Sequence, residues 1–298
     1  MGGRAQDDRV SAELVAVITS VHDGVPLVLT TGDGRRLPSG PLQSEHRSMQ
    51  AGLRSWVARQ TGYELGYVEQ LYTFADRDRG TSPVLEVSYL GLTTLPEVTD
   101  GWRNWFEYFP WEDRRDGDEL VTVHLAPALE RWTTADGPAA TERRRLRCAV
   151  TFGLDGHAWQ PDMALQRYEL LYEAGLVPEA HEEAGVAGGR PMQRHHRRIL
   201  ATAMGRLRSK IQYRPVVFEL LPPTFTLSQL QETVEAIAGQ HVHTQNFRRL
   251  VEQQELVEET GQVNHSTGGR PARLFRFRRE VTDERSVAGT KLPVPRAN

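Results

Sequence analysis

One stretch constrains this chain more than any other: between Thr226 and Arg278 helical periodicity gives way to strand alternation. Leu230, Val234 and Ile237 recur at helical spacing and stop at Gly239. Thr226 precedes them with Gln229 three residues on, a capping box that marks a helix start. After a short gap Thr244 is expected to cap a further helix, with Phe247, Leu250 and Val251 as its inward face. Two short helices joined by a tight Gly-containing turn form a helix-turn-helix. Glu255–Glu258 then reads as a strand and Gly261–Gly269 as a polar loop. Arg273–Arg278 alternates basic and apolar residues, a strand with one buried face. Upstream, Ile199, Leu200, Ala203, Met204, Leu207 and Ile211 predict a first helix over 194–211. Three helices followed by strand, wing and strand make a winged helix, expected over 194–281.

The charge changes sign at the same place. Residues 1–189 hold 18 basic and 29 acidic side chains, whereas residues 190–280 hold 15 and 8. Such a switch separates modules with different partners, and marks the basic one as a candidate for double-stranded DNA. The turn from Gly268 to Arg273 (Gly-Gly-Arg-Pro-Ala-Arg) resembles the wing of bacterial winged-helix repressors. A helix fits the major groove and reads base edges from its N-terminal turns. Those positions are Thr244, Gln245, Asn246, Arg248 and Arg249. Gln and Asn suit adenine, and Arg suits guanine. Arg270 at the wing tip is placed to enter a narrow minor groove, with Arg273 beside it. Arg197, Arg206, Arg208 and Lys210, on the first helix, are expected on phosphates.

The remaining 180 or so residues read as a second, α/β module, as about 150 residues per domain would suggest. Leu14–Ile18 and Pro26–Thr30 are strands around a His22-Asp23-Gly24 turn. Gln50–Thr61 is a helix with Leu53, Trp56 and Val57 on one face and Gly62 as its stop. Glu69–Ala75 and Val84–Thr93 read as strands, and Val121–Val123 and Arg147–Phe152 as two more. A helix opens at Pro161, with Leu165, Tyr168, Leu171 and Tyr172 as its apolar stripe, and ends at Gly175. The expected layout is a disordered 1–9, an effector-sensing domain over 10–180, a linker over 181–193, the winged helix, and a flexible tail over 282–298. No apolar run approaches the ~18 residues of a membrane span. The N-terminus lacks the apolar core of a secretory signal. The single Cys148 excludes a disulfide framework, so cytoplasmic residence is the expectation.

Leu37-Pro38-Ser39-Gly40, followed by a helix ending Thr61-Gly62-Tyr63-Glu64-Leu65, resembles the Nudix family over residues 12–155. The Nudix box carries Arg-Glu-aliphatic-x-Glu-Glu on its helix. Here those positions hold Ser55, Trp56, Val57, Ala58, Arg59 and Gln60, and an earlier box glutamate falls on His46. The missing carboxylates are the ones that hold divalent metals, which prefer oxygen ligands. Metal-assisted attack on a pyrophosphate is lost with them. The resemblance therefore implies a degenerate Nudix-like scaffold with no catalytic and no metal-binding residue, not an enzyme. An active pyrophosphohydrolase with an appended regulatory domain is the alternative. Arg35, Arg36, Arg47 and Arg59, with Trp56 and Tyr89, are expected to hold an anionic ligand without metal. Residues 101–115 carry six aromatics, suited to stacking on a base or to an interface.

A Nudix-like domain ahead of a winged helix resembles the Nudix-related transcriptional regulators of NAD metabolism. The stretches His196–Leu200, Arg206–Tyr213 and Phe218–Pro222 carry that resemblance, with Asn246–Arg249 and Gly269–Arg273 extending it. Residues 105–115 and 165–176 look like the NadQ type, which represses NAD biosynthesis genes. The resemblance implies an α+β fold and a homodimer on a palindromic operator. It also implies repression of NAD biosynthesis or uptake genes. The expected effector is NAD, ATP or an ADP-ribose-like nucleotide, with no cofactor required and no membrane partner.

Overall fold

The apolar runs of the N-terminal half pair into one mixed sheet. The computed structural model describes residues 11–43, 47–63, 65–74, 84–95, 97–134, 137–180, 186–264 and 271–278. Strand β1 (Ser11–His22) is parallel to β5 (Val84–Leu92) and antiparallel to β2 (Val25–Leu29). With β4 (Tyr67–Phe74) and β6 (Trp102–Asn104) the order is β4-β5-β1-β2-β6, and β3 (Ser39–Pro41) pairs with the start of β1. The expected hairpin turn is present, with Asp23 and Gly24 both at positive φ.

β1 is apolar without alternation because both its faces are covered, as for a central strand flanked by helices. Leu14, Ala16 and Ile18 pack towards α1 (Met49–Thr61), meeting Leu53 and Val57. Val15 and Val17 point into a larger core shared with the C-terminal half. Helix α1 begins where the Ser48 hydroxyl accepts from the Ala51 N–H at 3.1 Å and ends at Gly62 in the left-handed region.

Two expected strands are helices. Val121–Val123 lies in a π-helical turn, Leu120–Leu125, that leads into α2 (Ala126–Thr133). Arg147–Phe152 is the end of α3 (Pro138–Phe152). Short β-branched runs favour strands only when packing agrees. Here Val121 and Leu125, four residues apart, share a buried helical face. The run in α3 completes a helix begun by Pro138 in its first turn.

After a 3-10 turn at Pro161–Met163 come α4 (Ala164–Glu173) and then α5 (His196–Lys210). α6 (Leu227–Ala238), α7 (Thr244–Gln253), β7 (Val257–Asn264) and β8 (Ala272–Phe277) complete the winged helix. The capping box at Thr226 and Gln229 is formed in both directions. Backbone bonds between Phe225 and Phe275, at 2.8 and 2.9 Å, stitch the hairpin to the entry of α6. α5 is buried on nearly every side and packs against α4 and the sheet as well as α6. One apolar core therefore runs from Val15 and Val17 through Trp105, Trp111 and Leu171 to Leu200, Leu230 and Val251. Among the described residues no helix is long and apolar enough to cross a membrane.

Candidate nucleic-acid interface

Phe247 and Val251 turn inward from α7 and are essentially fully buried. That leaves Thr244, Gln245, Asn246, Arg248 and Arg249 exposed, the five positions read from the sequence. Neither Arg248 nor Arg249 has an acidic partner among the described residues. The N-cap is His243, not Thr244, which is the first helical residue. The Thr244 hydroxyl instead accepts from Gln231 Nε2 at 3.2 Å. The turn before α7 is held by one carboxylate that the sequence did not mark. Glu235 accepts from the Val242 N–H at 3.0 Å and from Gln231 at 2.8 Å, and pairs with His241 at 2.8 Å. Burial raises the Glu235 carboxyl, but these bonds outweigh it and hold the group below its ordinary value. The approach angle of α7 is thus fixed by polar contacts as well as by its apolar face.

The wing strands carry their charge in pairs. Arg273 is exposed but bonded to Glu259 at 2.6 Å, and Arg276 to Glu258 at 2.6 Å. Exposed pairs of this kind are worth ~0–1 kcal/mol, so a phosphate can compete for Arg273. Arg270 lies outside the described residues.

Three phosphate candidates on the first helix are not available to DNA. Arg208 is 1% exposed and Arg197 fully buried, while Lys210 is 6% exposed. Lys210 reaches the Tyr67 hydroxyl at 2.6 Å and the Glu69 carboxylate. Arg208 belongs to a buried triad. Glu112 receives Arg167 on both carboxylate oxygens, at 2.5 and 2.9 Å, and Arg208 on one of them. Arg208 also donates to the Ile237 and Pro161 carbonyls at 2.7 and 3.0 Å. Burial alone would raise the Glu112 carboxyl; the two guanidiniums outweigh it and keep it below the ordinary carboxylate value. These cations face inward because α5 is the strut between the halves. Arg206, by contrast, stays exposed.

The triad also places the helix-turn-helix. Gly239 ends α6 at a φ of 67°, and a Cβ there would stand 2.1 Å from the Glu112 carbonyl oxygen. The Arg114 N–H donates to the Gly239 carbonyl at 2.8 Å. The aromatic segment before Glu112 thus touches the turn that launches α7. Its rings are mostly interior: Trp105, Tyr108, Phe109 and Trp111 are 1% exposed or less.

The ligand candidates do not form one pocket. Trp56 lies across Gly40, where an added Cβ would meet the indole at 2.3 Å, and its Nε1 donates to the Pro41 carbonyl at 3.0 Å. Arg59 stacks on Trp56 at 4.4 Å, and Gln60 donates to the Ser39 carbonyl at 2.7 Å. The box positions that would hold metal carboxylates therefore carry an indole and an amide bonded to β3, and a guanidinium that stacks on the indole and donates to the Ser55 carbonyl. Among the described residues no three His, Cys, Asp or Glu side chains are grouped to hold a metal ion. Tyr89 is core, 2% exposed beneath α1, so it is not a ligand contact. Arg35 and Arg36 are exposed but belong to a turn that binds Gln193, through the Arg35 carbonyl at 2.8 Å and the Arg36 side chain. Arg47 is exposed at the start of α1.

Residues 217–277 match the NrtR DNA-binding winged helix domain. A segment of 82 residues is 40% identical to the ADPR responsive transcriptional repressor NtrR of Acinetobacter baylyi, covering 28% of this chain and 32% of that protein. The matched segment spans about a third of that relative's length. In three dimensions the chain is similar to Shewanella oneidensis NrtR solved with a 27mer DNA, with a TM-score of 0.55 and 19% identity. That likeness covers 91% of this chain and 95% of the other. A MutT/nudix family protein from Enterococcus faecalis gives a TM-score of 0.53 at 17% identity, over 92% and 90% of the two chains. A Nudix-like sheet and helix lead into a winged helix along nearly the whole length, the fold that these solved structures share, and the winged helix is similar to that of the NrtR regulators.

Proposed function

We propose that this protein is a ligand-responsive transcriptional repressor of NAD biosynthesis or uptake genes. Its winged helix binds the operator and its Nudix-like half senses a nucleotide such as ADP-ribose, NAD or ATP. The observation that carries the reading is α7: five positions around the buried Phe247, namely Thr244, Gln245, Asn246, Arg248 and Arg249, stand exposed on a helix whose base is locked by Glu235. Asn246 and Arg249 lie three residues apart on one face, the spacing that lets both reach neighbouring bases. Arg248, Arg206 and the wing arginines Arg270 and Arg273 supply phosphate or minor-groove contacts. The name of the NtrR relative supports repression and an ADP-ribose signal, and the NrtR structure with a 27mer DNA supports DNA binding.

In this reading the Nudix-like half does not hydrolyse its ligand. Trp56, Arg59 and Gln60 take positions that metal chemistry needs as carboxylates. The repressor acts in the cytoplasm as a homodimer, because one winged helix covers too short a site and a two-fold dimer matches a palindrome. An electrophoretic shift with promoter fragments of NAD-related genes, at two salt concentrations and with and without ADP-ribose, tests the reading. Specific retention with a steep salt slope and a ligand-dependent change supports it. Binding that ignores sequence contradicts it.

A further inference from the structure

Residues 239–243 join α6 to α7 and belong to neither helix. Glu235 holds this turn from the α6 side, and two neighbouring arginines hold it from the Nudix-like half. The Arg114 N–H donates to the Gly239 carbonyl at 2.8 Å. The Arg115 guanidinium reaches the other way and donates to the Gly24 carbonyl, in the β1–β2 turn, at 2.7 Å. We propose that Arg115 is a positioning residue for operator recognition. It ties the tip of the β1–β2 hairpin to the turn that launches α7, and so sets the angle at which α7 meets DNA. The proposal rests on the DNA-binding reading above and extends it to a residue outside α7 and the wing.

Arg115 is held in one geometry. Its side chain is 19% exposed, and its Nε and Nη2 donate to the two oxygens of Asp113, each at 2.8 Å. That two-pronged pair fixes the guanidinium plane and leaves Nη1 aimed at Gly24. The Asp113 bond first, and then the charges of Asp113, Asp116 and Glu235, hold the guanidinium above its ordinary value despite burial. Glu235 therefore acts on Arg115 while it accepts from the Val242 N–H in the turn. The hairpin tip has reason to need a tie. Asp23 and Gly24 both sit at positive φ, and α6 packs on β1 and β2. Glu232 on α6 has its carboxyl raised, by burial first and then by the charges of Glu235 and of Asp23 in the tip. Like charges push the tip and α6 apart, and Arg115 supplies a cation bonded to the tip.

A small error at the turn grows along α7. At about 1.5 Å per residue Arg249 stands about 10 Å beyond Val242, so a tilt of about 10° displaces it by about 2 Å. A hydrogen bond to a base edge tolerates only a few tenths of an ångström. Attraction to phosphate acts over a longer range and is less exacting. Loss of Arg115 should therefore weaken sequence discrimination more than it weakens general DNA binding.

The test titrates the full-length protein against a duplex cut from the retained promoter fragment and against its scrambled counterpart, and reads the ratio of the two affinities. Arg115→Met should lower the ratio about tenfold, the order of one lost base contact. Its affinity for scrambled DNA should stay within about twofold of the wild type, because phosphate contacts remain. Arg115→Lys, which keeps a donor for the Gly24 carbonyl, should recover part of the ratio. Asp113→Asn, which loosens the guanidinium plane, should lower it about threefold, and it carries the test if thermal melting shows Arg115→Met unfolded. Arg115→Met combined with the α7 variant that loses operator affinity, Asn246→Ala or Arg249→Ala, should lose less than the product of the two single losses, because both act on one set of contacts. A role in stability alone would multiply the two losses in full or weaken both DNAs equally. Either result, or an unchanged ratio in the folded variant, overturns the proposal, while the α7 variant still separates the two DNAs and the regulator reading stands. If the wild-type protein itself does not distinguish the two duplexes, both fall.

Discussion

At the residue scale, the buried ionic and polar groups decide more than the exposed ones. Glu112 carries one negative charge between two guanidiniums in a fully buried setting. Removing Arg208 still leaves the two-pronged Arg167 pair, whereas Glu112→Gln leaves two buried cations with no counter-charge. Glu112→Gln should therefore cost more than Arg208→Met, on the order of the 3–5 kcal/mol seen when a buried pair is broken. Urea unfolding of both variants checks the order. His196 gives a pH signature. Burial pushes its imidazole down to about 4, with the Leu37 N–H donating to Nδ1 at 2.8 Å. The folded state then keeps the ring neutral while the unfolded chain takes up a proton below about 6.5. Stability from this group is complete above that pH and lost as pH falls from about 6.5 to about 4, on the order of 3 kcal/mol in all. His196→Gln should flatten that part of the stability profile. A profile that keeps its slope would contradict the burial argument.

At the element scale, helix ends carry testable weight. Thr226→Ala removes the capping box of α6 and should cost ~1 kcal/mol without changing what α7 presents. Gly239→Ala is a different change. It forces a side chain into the left-handed region and against the Glu112 carbonyl, 2.1 Å from the added carbon. It should cost more than the cap and should also lower DNA affinity, since the turn that launches α7 has to move. Equal stability losses with unchanged DNA binding would show that the contact does not position α7. These elements also show what was legible in the sequence. The capping box and the limits of α6 follow from local spacing and are readable, as are Phe247 and Val251 on the inward face of α7; Leu250, expected beside them, is only half-buried. Val121–Val123 and Arg147–Phe152 are helical against expectation because a few β-branched residues carry the same signal in a strand and at a helix end. The positions of Arg208 and Lys210 were not readable either. A charged residue on a predicted helix reads as solvent-facing, and only the fold shows that Glu112, 96 positions away, accepts Arg208.

At the scale of the whole molecule, the two halves share one core, so DNA binding and ligand sensing are expected to be energetically linked. Light scattering at micromolar protein should give a dimer, and a monomer with unimpaired operator specificity would contradict the two-fold reading. Incubation with ADP-ribose, NADH or ATP at millimolar Mg²⁺ should give no turnover above background. A rate near the enzyme median of ~10 s⁻¹ would restore the hydrolase reading.

In the proposed repressor α7 reads sequence, whereas Arg208, buried on α5, neutralises no phosphate. The most direct measurement titrates Asn246→Ala, Arg249→Ala and Arg208→Met against operator and scrambled duplexes at two salt concentrations. Asn246→Ala or Arg249→Ala should lose ~1–3 kcal/mol on operator and little on scrambled DNA. Arg208→Met, at a temperature where it is folded, should leave the salt slope as it is in the wild type, because a buried guanidinium releases no counterion. Operator and scrambled DNA weakened equally by both α7 variants, or a slope lowered by about one in Arg208→Met, would contradict the account.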